Sequence, residues 1–185
     1  DRHWFDAIAS KKDMYETYLW AFRYIIDNAQ PAAIMGAYNR LNGEACCASK
    51  TLLKDILKDE FGFDGYIVSD CGAIRDINEN HRITSSLAES AALAVKCGCD
   101  LNCGSAYLWL GEAYEKGYID EDTITKSVER LMEARFRLGM FSDDCEYDNI
   151  PYSVVECDEH IQLCRKMAQE GIVLLKNNGI LPLGD

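Results

Sequence analysis

Proline is scarce in this 185-residue chain, at three residues, and so is histidine, also at three. So little proline, with only 13 glycines, excludes collagen-like and low-complexity compositions. No apolar run approaches the roughly 18 residues of a membrane-spanning helix, so no membrane partner is expected. Positive charge is in deficit: 19 lysines and arginines face 31 aspartates and glutamates, a formal net charge of -12. Such a chain repels a polyanion on average, so nucleic acid is not expected as a partner either. The cysteines Cys46-Cys47, Cys97, Cys99 and Cys103 form no repeated C-x2-C pairs, which argues against a structural zinc site and a dithiol redox motif.

What is present is globular in character, with 48% hydrophobic and 27% charged residues. Nine cysteines is an odd and high count. Because the helical patterns are long enough for an ordinary core, most of these thiols read as reduced core or pocket residues rather than a disulfide framework. The chain opens at Asp1 and stops at Leu183-Gly184-Asp185, as an apolar stretch reaches a turn. The expectation is a fragment, with signal peptide, compartment and oligomeric state all left open.

Periodicity predicts a helix over 11–28, where Met14, Tyr18, Phe22 and Ile25-Ile26 make one apolar face, stopped by Asn28 and Pro31. The run 32–38 reads as a buried strand, followed by an irregular loop with an Asn42-Gly43 turn. A second helix is expected over 49–61 with Gly62 as its stop, then a strand over 65–70 ending in a polar pair. Helices follow over 85–96 and 106–116, with a short third strand at 100–102 between them. The clearest pattern is 122–140, where Ile124, Val128, Leu131-Met132 and Phe136 form a stripe behind acids at Asp120, Glu121 and Asp122. Residues 141–157 are acidic and irregular, like a linker, and 159–176 starts a fresh helix. Helices alternating with strands that are apolar on both faces predict an α/β fold with a parallel sheet.

In such folds catalytic side chains project from the C-terminal ends of strands. That rule selects Tyr38-Asn39, Ser69-Asp70-Cys71 and the segment 100–103. Asp70 is the outstanding candidate, because a carboxylate after an apolar strand is desolvated unless partnered. Position alone leaves two readings open, a functional acid or a cap for the next helix. A reading as a thiol- or metal-dependent redox protein built on the cysteines stands as a further alternative.

The stretches IMGAYNRLNGEACC, LLKDILKDEFGFDGYIVSDCGAI and AVKCGCDLNCG, with the opening DRHWFDA and the closing AQEGIVLLKNNGILPL, resemble glycoside hydrolase family 3 over essentially the whole chain. The resemblance implies the C-terminal half of a (β/α)8-type barrel over 1–140, an interdomain linker over 141–157 and the first helix of an α/β sandwich over 158–185. It implies a retaining, exo-acting β-glycosidase that needs no cofactor and takes an oligosaccharide or glycoside as substrate. Asp70 matches the family's nucleophile, Tyr38 a tyrosine whose hydroxyl is expected to hydrogen-bond it, and Arg2 a block facing the sugar cavity. Cys71 stands where many glucosidase members carry Trp, so the SDCGAI form looks closer to the xylosidase branch. Asp100 is expected to anchor structure, Glu44 to be a loop acid, and His81 and His160 to be surface or satisfied histidines. The family's sugar-gripping Lys-His pair is expected upstream and its acid/base glutamate downstream, so the 185 residues alone are expected to be inactive and poorly soluble. A β-N-acetylhexosaminidase and a non-catalytic carbohydrate-binding relative are the remaining alternatives.

Overall fold

The computed structural model describes residues 1–184, in two compact units that divide between Phe141 and Ser142. The first unit is α/β. Its centre is a parallel pair, β2 (Ala33–Gly36) against β5 (Tyr66–Ser69), in the register Ala33↔Tyr66 to Gly36↔Ser69. Leu101 adds a parallel bridge on the far side of β5, through Val68. All three expected strand segments are therefore present, in the order β2, β5, Leu101. Ile67 at the middle of β5 is fully buried, as an apolar strand covered on both faces must be.

Crossover helices connect these strands. Between β2 and β5 lies the helix Thr51–Glu60, which buries Leu53, Ile56 and Leu57. It is wound with i→i+5 hydrogen bonds, seen where Phe61 N–H meets the Ile56 carbonyl at 2.8 Å. From β5 the chain enters α3 (Ala73–Glu79) and then α4 (Leu87–Cys97) before reaching Leu101. Sequence periodicity missed α3, because it is only seven residues long and starts just two residues past the polar pair Ser69-Asp70. Its entry depends on Gly72, whose φ of 80° is left-handed. The helix α4 presents Ala88, Ala91 and Ala94, all fully buried, so small side chains let it pack close to its neighbours. Ser86 caps it by accepting the Glu89 N–H.

The segment expected as one helix over 11–28 is continuous but mixed. It consists of α1 (Lys11–Asp13), an i→i+5 turn at Met14–Tyr18 and α2 (Trp20–Ala29), ended by left-handed Gln30. Its apolar face is only partly used: Met14 and Ile26 are buried, whereas Tyr18, Phe22 and Ile25 are exposed. The loop after β2 is not irregular. Asn42 and Gly43, with φ of 50° and 89°, turn a hairpin between β3 (Arg40–Leu41) and β4 (Glu44–Ala45), and β1 (Asp6–Ala7) pairs parallel to β3. This ribbon ties the chain start to the region after β2.

Past Leu101, a 3₁₀ turn (Ala106–Trp109) leads into α5 (Leu110–Glu115), and α6 (Glu121–Arg137) follows with Asp120 as its N-cap. Val128 and Phe136 of the expected stripe are exposed, and Ser127 is the buried residue of α6. The second unit holds short turns at Glu146–Asn149 and Tyr152–Val154, then α7 (Asp158–Gly171), shorter than the helix expected to run to 176.

Candidate active site

The C-terminal ends of β2 and β5 place Tyr38 and Asp70 on one side of the sheet, because Gly36 and Ser69 are register partners and Asp70 N–H donates to the Gly36 carbonyl at 3.0 Å. Asp70 is half-buried. Its Oδ1 accepts the Cys71 N–H at 2.7 Å. It does not cap α3; the cap position is held by Gly72.

The Tyr38 hydroxyl donates to the Cys71 carbonyl at 2.9 Å, and a hydrogen bond with the Asp70 carboxylate is among the causes that raise its phenol. Partial burial and then Asp70 push the Tyr38 phenol up, while Arg2 pulls it down. Arg2 itself is exposed.

Cys71 is exposed, with its sulfur 2.7 Å from that of Cys103. Cys103 reaches it because Ser69 Oγ accepts the Cys103 N–H at 3.0 Å and Gly72 N–H donates to the Cys103 carbonyl at 2.7 Å. The loop after Leu101 is thus fastened to the loop after β5. Cys103 lies in the strand-end segment 100–103 that the sequence selects, although the sequence does not single it out as a site residue.

Two further residues at this end were missed. His3 Nδ1 lies 2.7 Å from Asp76 Oδ2, and its ring meets that of Tyr38 edge-on, with centroids 4.6 Å apart. The expectation for His81 fails: it is 6% exposed, and neither ring nitrogen has a hydrogen-bond partner. His160 is exposed.

The other candidates are structural. Asp100 is buried and accepts from Ile67 N–H, Ser127 Oγ and Arg130 Nη1, with Lys58 Nζ at 3.5 Å. Glu44 accepts from Ser49 Oγ at 2.6 Å and Thr51 Oγ1 at 2.8 Å; burial opposes its charge, but these bonds carry its pKa below the usual value. It secures the start of a helix.

Thiol chemistry has little support in the core. Burial pushes the Cys46 thiol up to about 12, and a hydrogen bond with Cys99, together with burial, pushes Cys47 higher still. Among the described residues no group of three His, Cys, Asp or Glu side chains is disposed to hold a metal. A concavity of about 650 Å³ lies at the opposite ends of the strands, lined by Ile26, Phe61, Phe63, Tyr66, Arg130 and Leu138, and Asp70 takes no part in it.

Residues 3–134 match the Glycosyl hydrolase family 3 N terminal domain. The chain belongs to glycosyl hydrolase family 3. It is 42% identical over 179 residues to a xylan 1,4-beta-xylosidase of Xylanibacter ruminicola, covering 94% of this chain and 21% of that protein. It is 41% identical over 188 residues to a probable exo-1,4-beta-xylosidase of Aspergillus clavatus, covering 98% of this chain and 24% of that one. Among solved structures, a GH3 exo-beta-xylosidase in complex with a xylobiose aziridine activity-based probe superposes with a TM-score of 0.80 at 31% identity, over 100% of this chain and 25% of that chain. A beta-glucosidase from Listeria innocua gives 0.75 at 27% identity, over 97% and 25%. The chain spans about a quarter of the length of the curated relatives it matches.

Proposed function

We propose that this chain is the nucleophile-bearing part of a retaining, exo-acting β-glycosidase of the β-xylosidase or β-glucosidase type. The observation that carries the reading is Asp70: a half-buried carboxylate at the C-terminal end of a central parallel strand, held through Oδ1 by the Cys71 N–H and flanked by Tyr38. Its oxygen attacks the anomeric carbon of a terminal non-reducing sugar as the glycosidic C–O bond breaks, and an acid protonates the departing oxygen. That acid, roughly 5–5.5 Å from the nucleophile in retaining enzymes, comes from a segment beyond this chain. It then acts as base, taking a proton from the water that opens the glycosyl ester and frees Asp70.

Residues 1–140 form the second half of a (β/α)8-type barrel, a reading supported by the parallel order β2, β5, Leu101 and the family match over 3–134. Residues 141–157 serve as linker and 158–185 as the start of a sandwich domain. A xylose-type sugar is favoured by the xylosidase names of the relatives and by Cys71, which puts a small side chain beside the nucleophile where many glucosidases place Trp. Arg2 and Tyr38 complete this chain's share of the sugar site.

The test uses the intact gene product. Asp70→Ala should abolish turnover of 4-nitrophenyl β-xyloside, and a 2-deoxy-2-fluoro xyloside should add its glycosyl mass to the peptide carrying Asp70. Label on another carboxylate, or undiminished activity in the variant, would reject the assignment.

A further inference from the structure

We propose that His3 is a positioning residue for the Asp70 site: anchored by Asp76, its ring holds Tyr38 in place against the Cys71 carbonyl and the nucleophile. The inference rests on reading Asp70 as the nucleophile and extends it to a group that touches no substrate.

Asp76 sits in the first turn of α3, six residues after Asp70 on the same loop and helix, and its side chain is only 8% exposed. A carboxylate so buried requires donors. It has two: Asn80 Nδ2 at 2.5 Å to Oδ1 and His3 Nδ1 at 2.7 Å to Oδ2. Those bonds fix the plane of the His3 imidazole. The fixed ring meets the Tyr38 ring edge-on, at an interplanar angle of 63°, the geometry in which an aromatic edge is attracted to a neighbouring face. Tyr38 in turn donates to the Cys71 carbonyl. The chain Asn80, Asp76, His3, Tyr38, Cys71 therefore begins on α3 and closes on the residue next to Asp70.

A second observation supports the brace from behind. The buried, unpartnered His81 ring faces the carbonyls of His3 and Tyr38 as well as Asp76 and Arg40. His3 is held by its side chain at Asp76, and the His81 ring is buried near both its main chain and that of Tyr38.

A double-mutant cycle in the intact gene product tests this, with 4-nitrophenyl β-xyloside as substrate and the variants His3→Ala, His3→Phe, Tyr38→Phe and the double His3→Ala/Tyr38→Phe. If His3 acts through Tyr38, His3→Ala and Tyr38→Phe each lower kcat/KM by about tenfold and the double variant is no worse than the poorer single. His3→Phe keeps a ring edge against Tyr38, so it should recover part of the loss, and it serves as the test variant should His3→Ala not fold. Effects that multiply in the double variant, or a His3→Phe variant no more active than a folded His3→Ala, would overturn the proposal. An active Asp70→Ala would bring down the reading beneath it; an inactive one with multiplicative His3 and Tyr38 effects would bring down the brace alone.

Discussion

The sulfurs of Cys71 and Cys103 stand 2.7 Å apart, joining the residue after Asp70 to the loop that follows Leu101. Cys103 beside it is the main reason the Cys71 thiol lies above its ordinary value of 9.0, with the Asp70 charge a lesser one. The thiolate is the reactive form, so Cys71 should alkylate slowly for an exposed cysteine at pH 7.5 and speed up as the pH rises past 9. Cys103→Ala removes the leading cause and should accelerate labelling of Cys71 by iodoacetamide at pH 7.5, followed by peptide mass spectrometry. An unchanged rate in that variant would show that Cys103 does not govern the thiol.

Asp100 and its four partners give a stability prediction. The carboxylate is fully enclosed between Arg130, Lys58, Ser127 and the Ile67 N–H, so it fastens β5 to α6. Asp100→Ala leaves two cations without their anion and should cost about 3–5 kcal/mol. Lys58 is a different case. Burial, the largest influence, and the Arg130 charge together hold its pKa below the ordinary value despite the pull of Asp100. The ammonium is therefore poorly compensated, and Lys58→Met should cost within about 1 kcal/mol. Denaturant melts of the intact gene product compare the two; a Lys58→Met loss as large as that of Asp100→Ala would refute this ordering.

The positions of Asp70 and of the strands carrying it were legible in the sequence, because a β-rich apolar run ending in a polar pair is a local signal. So was the N-cap of α6, where Asp120 precedes a clear stripe. What the sequence did not reveal is relational. The hydroxyl of Tyr38 turns to a backbone carbonyl on another strand's loop, and His3 meets Asp76 across 73 positions of chain. The helix α3 escaped because seven residues are too few for periodicity to register. His81 was misjudged since nothing local distinguishes a buried imidazole from a surface one. The exposed Tyr18, Phe22 and Ile25 show the opposite limit: periodicity identified an apolar face correctly, and the described residues leave it uncovered.

Close approach of β2 and β5 makes Gly65 sensitive. A Cβ there would press into the Ala32 carbonyl and come within 2.7 Å of the Phe63 ring. Gly65→Ala should therefore destabilise by about 1–3 kcal/mol and, by shifting β2 against β5, lower activity as well. Gly111 in α5 provides the contrast, with nothing within 4 Å of its Cβ direction. Gly111→Ala should raise stability by roughly 0.5–1 kcal/mol through helix propensity. Thermal melts of both variants decide the matter, and equal effects would mean that the strand contact is not tight.

His81 gives a pH dependence whose direction follows from burial. Burial holds its pKa below the ordinary 6.5, against the pull of Asp76 and with the help of Arg40, the charged groups that face it. Well above pH 6.5 the ring is neutral in the folded and unfolded chain, and it contributes nothing to the difference. As the pH falls through 6.5, the unfolded chain takes up a proton that the folded one resists, so stability declines until the folded ring is protonated too. With neither nitrogen hydrogen-bonded, an apolar replacement forfeits no partner. His81→Leu should therefore fold, and it should lose less stability than the parent as the pH falls through 6.5. Urea melts at a series of pH values measure this as a shallower slope in the variant. Parallel slopes would mean that the His81 imidazole protonates as readily in the folded protein as in the unfolded chain.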